Sequence, residues 1–146
     1  VNNSEHDPRT FEVLRLLKFL PDPFRVLGVD RTTNFDKVPP QLQYVEDELE
    51  ARNSDSGESR DAVYSTQRIR YFRDLFLENK KVTPIEVDNN WSRWRPTGLV
   101  LVDGHHRLCG AILARSVHVD VSYSGAEDAL TWLKGESTNP PNWLNS

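Results

Sequence analysis

Apolar residues recur along this chain at helical and at alternating spacings, and each spacing predicts a different element. Asp7 and Pro8 supply an N-cap and a first helical position. Phe11, Leu14, Leu17 and Phe19/Leu20 then follow at helical spacing, with Val13 and Leu16 widening the stripe. A helix over 8–20 is expected, closed by Pro21-Asp22-Pro23. Phe24-Arg25-Val26-Leu27-Gly28-Val29 reads as a short strand, and Leu42, Val45 and Leu49 after Pro39-Pro40 as a further helical stretch. Residues 50–62 carry almost no apolar side chains and read as a loop or linker, or as a lid over a ligand.

The pattern is clearest from Tyr64 onward. Ser65 or Thr66 caps a helix to Asn79 with Ile69, Phe72, Leu75 and Phe76 on one face and Arg68, Arg70 and Arg73 largely off it. Pro84 to Asp88 predicts a strand, and 89–98 a loop containing Trp91, Arg93, Trp94 and Arg95. The unbroken run Leu99-Val100-Leu101-Val102 predicts a strand buried on both faces. Leu108 to Arg115 predicts a helix. Val117, Val119, Val121 and Tyr123 alternate with His118, Asp120 and Ser122, the mark of a half-buried strand. Ser124 is expected to cap a last helix carrying Ala126, Ala129, Leu130 and Leu133, which Gly135 stops, before a tail to Ser146. This order predicts an α+β fold around a small mixed sheet flanked by helices, in a single domain over 1–146.

Composition narrows the class. No stretch approaches eighteen apolar residues, so no membrane-spanning helix is expected. The opening VNNSEHDPR lacks the apolar core of a signal peptide, and the single cysteine, Cys109, leaves no intrachain disulfide framework. The expected setting is reducing and cytoplasmic. Cys109 sits on an apolar helix face and reads as core rather than nucleophile. Charge is uneven: 36–61 holds eight Asp/Glu against three Lys/Arg, whereas 62–115 holds nine Lys/Arg against five Asp/Glu. The second segment would steer a phosphate-bearing ligand; ordinary solvated surface is the alternative.

The chemistry concentrates in Asp103-Gly104-His105-His106-Arg107, where a strand runs through a glycine into a helix. Gly104 permits a tight turn and close approach of a ligand. Amides of the first helical turn and the helix dipole suit a phosphate, and Arg107 adds a two-pronged phosphate donor, expected to be exposed in an open pocket bounded by His105 and Asp103. His105 and His106 can donate hydrogen bonds or move protons near neutral pH. Asp103 can hold magnesium, fix a histidine tautomer or orient a hydroxyl, or simply cap the helix.

This strand–turn–helix pattern, over about 64–123, resembles the ParB/sulfiredoxin-like superfamily. Sulfiredoxins carry cysteine where this chain has His105, so their thiol chemistry is not expected. Partition proteins carry Gly-Glu-Arg-Arg at the turn and a helix-turn-helix domain not found here. The Asp-Gly-His-x-Arg form is similar to that of the free serine kinases, and the chain's length fits the small plasmid- or phage-borne nucleases and nucleotide hydrolases of the superfamily. The resemblance implies that Gly104, His105, His106 and Arg107 cradle the phosphates of ATP or another nucleotide. It places Asp103 at magnesium or the acceptor hydroxyl, Arg68 toward the phosphates, and Glu58 or Asp61 as an acidic base. Residues 1–23 would be an N-terminal helical extension, 50–62 an acidic loop, and 124–146 a C-terminal helix and tail.

The expected activity is magnesium-assisted phosphoryl transfer or hydrolysis on a nucleotide or phosphorylated small molecule. The alternative is a non-catalytic module that binds DNA or a protein. Arg68, Arg70, Arg73, Lys80, Lys81, Arg93 and Arg95 would then meet nucleic-acid phosphates, and Trp91 and Trp94 would stack on bases or else cover the core. As a scaffold, the chain would dock through its two ends, a homodimer being one such arrangement.

Overall fold

The computed structural model describes residues 8–38, 62–92 and 95–145. The expected stretch around Leu42, Val45 and Leu49, most of the 50–62 loop with Glu58 and Asp61, and Arg93 and Trp94 lie outside them, as do the side chains of Trp91 and Arg95. The fold is α+β, and the chain divides into two compact units.

The first unit draws on 1–21, 84–104 and 115–146 and holds the whole sheet. Its strands are β1 (Pro8–Glu12), β2 (Ile85–Ser92), β3 (Arg95–Asp103) and β4 (His118–Ser124), in the order β1-β4-β2-β3. β4 runs antiparallel to β1 and parallel to β2, and β2 and β3 form an antiparallel hairpin. Register brings Ile85 beside Val121, Val87 beside Tyr123 and Leu101, and Phe11 beside Val119. These residues form the buried face, and Glu86, Asp120 and His118 point outward.

Several expectations need correction here. Residues 8–20 are not one helix: β1 comes first, and α1 (Val13–Phe19) follows directly. Phe11 is buried against Tyr123, whereas Leu14, assigned to the apolar stripe, is 81% exposed. Val13, Leu16 and Leu20 are the residues α1 and its cap bury. The 89–98 loop is instead the far part of the β2–β3 hairpin. The run Leu99–Val102 is not buried on both faces, since Val102 is 44% exposed. β3 is an antiparallel strand with one covered face.

The last helix of this unit, Glu127–Leu133, begins after Ala126; Ser124 belongs to β4 and does not cap it. The segment after Gly135 does not trail away either. Asn142–Asn145 forms a 3₁₀ turn beside β3, Leu144 is buried, and Trp143 Nε1 donates to Asp128 at 2.9 Å.

The second unit, 22–83 with 105–114, is helical among its described residues. α2 is Pro23–Leu27, in place of the expected strand. Asp22 caps it by accepting from the Phe24 amide, Pro23 opens it, and Gly28 ends it in the left-handed conformation. A 3₁₀ turn follows at Phe35–Lys37. α3 spans Ala62–Leu77 and α4 spans His105–Leu113. Phe24, Val29, Phe35, Ile69 and Cys109 form one buried cluster, with Leu27, Ile112 and Leu113 against it. α3 and α4 approach so closely that a Cβ on Gly110 would lie 2.7 Å from Phe72 Cβ. Cys109 is therefore part of a packed core.

Candidate functional site

The Asp-Gly-His-His-Arg segment falls where the chain passes from the first unit to the second, and each part has its own surroundings. Within the sheet unit, Asp103 closes β3 opposite Glu86 and is half-buried. Gly104 follows at φ +106°, and a Cβ there would lie 2.7 Å from Ile85 Cγ2. Two independent constraints therefore require glycine: a backbone that L side chains rarely adopt, and the close approach of Ile85.

Within the helical unit, α4 begins at His105, earlier than the expected Leu108, so His105, His106 and Arg107 make its first turn. His105 is half-buried, His106 is 7% exposed and Arg107 3% exposed. The exposed guanidinium expected at Arg107 is thus absent: the side chain turns into the protein, and Nη1 donates to the Thr83 carbonyl at 3.1 Å. Arg107 braces the start of α4 against the end of the segment after α3. Its role is at least partly structural.

Arg68 departs furthest from the helical-face reading. Placed largely off the apolar face of α3, it is instead fully buried, at 0% exposure. Its guanidinium carbon lies 5.2 Å from the Tyr71 ring centre and 4.9 Å from that of Phe72. The two aromatic rings provide cation–π contacts to it. The buried face of α3 is Ser65, Arg68, Ile69 and Phe72, whereas Leu75 and Phe76 are only half-buried.

The expected cap, Ser65 or Thr66, is corrected here: α3 starts at Ala62 and places both inside the helix. Ser65 Oγ lies 3.0 Å from His106 Nε2, with both side chains buried. The Tyr64 ring meets the imidazole edge-on, centroids 6.1 Å apart at 87°. Sequence reasoning missed this pair. No spacing in the sequence signals it, because Ser65 reads there as a cap and Arg68 as lying off the apolar face.

Other expected basic residues are committed elsewhere. Arg73 pairs with Asp36 and Asp74 at 2.9 Å, and Arg70 with Asp74 at 3.2 Å, while Arg70 also donates to the carbonyls of Asp36 and Val38. Those carboxylates hold the Arg73 guanidinium even more firmly protonated against the opposing effect of burial. The result ties the Phe35–Lys37 turn to α3. Among the described residues no three His, Cys, Asp or Glu side chains gather as a metal cage, and no helix is long and apolar enough to cross a membrane. Comparison with protein-family models, with curated proteins and with solved structures found no match to this chain.

Proposed function

We propose that the chain is a ParB/sulfiredoxin-like protein that binds the phosphate of a nucleotide or phosphorylated small molecule at the start of α4. The proposed use of that site is magnesium-assisted phosphoryl transfer or hydrolysis. One observation carries the reading: Arg68, His106 and Arg107 are all buried within the same small helical unit, on two helices packed against each other. Burying a guanidinium is costly, and a fold that buries two in one unit is suited to receive an anion. The first-turn amides of α4 and its dipole add to the same preference.

Magnesium would arrive with the nucleotide. It is ordinarily held by one or two carboxylates together with substrate phosphates, so no cage of protein ligands is required among the described residues. The ion would neutralise charge developing on the phosphoryl group. His106, Arg107 and Arg68 would bind and orient the phosphate, which is most of what phosphoryl transfer asks of a protein. A nucleic-acid surface on α3 draws no support from Arg70 and Arg73, which are engaged in ion pairs.

Calorimetric titration with ATP, ADP and CTP, with and without magnesium, tests the proposal. Binding of at least one is expected. Absence of binding by all three at millimolar concentration overturns it.

A further inference from the structure

We propose that Ser65 is a positioning residue for His106. The inference rests on the anion-binding reading and deepens it by naming what sets the imidazole in place. Ser65 and Arg68 stand three residues apart on α3, on the face that also carries Ile69 and Phe72. From that face the Ser65 hydroxyl meets His106 Nε2 at 3.0 Å, and Tyr64 supplies an aromatic edge at the same ring. An imidazole held by a buried hydroxyl and an aromatic neighbour has its orientation restricted before any ligand arrives.

The choice of serine matters chemically. A hydroxyl can donate to Nε2 or accept from it, so it holds the ring whether His106 is neutral or imidazolium. A carboxylate would favour only the charged form, and a methyl group would hold neither. With Nε2 engaged by Ser65, that bond fixes which tautomer and tilt the ring presents. The hydrogen-bond partner of one ring nitrogen thus sets the work of the other. Ser65 itself is 1% exposed and does not meet the ligand.

The test compares wild type, Ser65→Ala and Ser65→Thr by nitrogen-resolved NMR of the histidine rings and by titration with ATP, CTP and inorganic phosphate. In wild type the two nitrogens of His106 are expected to show distinct shifts from a single ring state. Ser65→Ala is expected to average them. It should also weaken the tightest-binding probe by about three- to tenfold, the effect of one neutral hydrogen bond. Ser65→Thr, which keeps the hydroxyl, should restore both. If Ser65→Ala does not fold, Ser65→Cys carries the same comparison. An altered ring state with unchanged affinity overturns the positioning role and leaves the anion site standing. An unaltered ring state overturns it equally. A wild-type chain that binds none of the probes overturns the anion reading, and this proposal with it.

Discussion

Arg68 is fully buried beside two aromatic rings, and its replacement tests the proposed anion site. Methionine has similar reach, and its sulfur packs well against aromatic rings. Arg68→Met keeps apolar packing against those rings while removing the charge, and the chain is expected to remain folded in urea titration. Nucleotide affinity is expected to fall at least about tenfold, the loss of one charged hydrogen bond. Urea unfolding and calorimetry on the same sample read both. Gly104→Ala should behave in the opposite way, costing about 2–4 kcal/mol from its positive φ and the overlap with Ile85. Tyr123 sets the alkaline limit. Its single hydroxyl hydrogen lies within reach of two acceptors, Asn89 Oδ1 and the Ala126 carbonyl. Burial raises its pKa most; the Asn89 hydrogen bond opposes this, and the charges of Asp128, Asp88 and Glu127 add to it. A raised folded pKa contributes stability that is whole below the unfolded value near 10 and is lost as pH climbs beyond it. Tyr123→Phe should cost about 1 kcal/mol at pH 8. It should also flatten the fall in melting temperature between pH 10 and 11.5, as calorimetric scans would show.

Helix ends show how far local signals reach. Asn79 and Arg115 hold positive φ, at 57° and 58°, just after α3 and α4. Asn79 tolerates this and closes α3 with bonds from its own amide to Phe76 and from Lys80 to Leu75. Arg115 has no such tolerance, so Arg115→Gly is expected to raise stability by up to about 1 kcal/mol in urea titration. Elements with self-contained periodicity were legible: α3 with Ile69 and Phe72, β4 with its strict alternation, and the strand–glycine–helix sequence around Gly104. The split between β1 and α1 was not, because it depends on Val119 and Val121 pairing with Phe11 and Arg9, more than a hundred positions earlier. The α2 segment carried a cap, a proline and a glycine in the right places, but its Val-Leu-Gly-Val composition suggested a strand. Within the candidate site, the motif exposed His106 and Arg107 to view. The burial of Ser65 and Arg68 was hidden because packing against α4 decides which side of α3 faces inward.

At the scale of the whole chain, the C-terminal turn is a structural member of the sheet unit. Ending the protein after Pro141 removes the buried Leu144 and the Trp143–Asp128 hydrogen bond. A loss of about 2–4 kcal/mol is expected, measurable by thermal unfolding against the chain that runs to Ser146. The sheet unit is also discontinuous in sequence: Thr10 aligns with Asp120, and β4 sits between β1 and β2. On a ribosome, β1 emerges more than a hundred residues before the strand that pairs with it. The helical unit has all its residues once Ala114 is made, whereas the sheet has no partner for β1 until β4 follows. Vectorial synthesis therefore leaves Phe11 and the apolar side of β2 waiting, and a chaperone that shields nascent β-strands should raise the yield of native protein more than it speeds the helices.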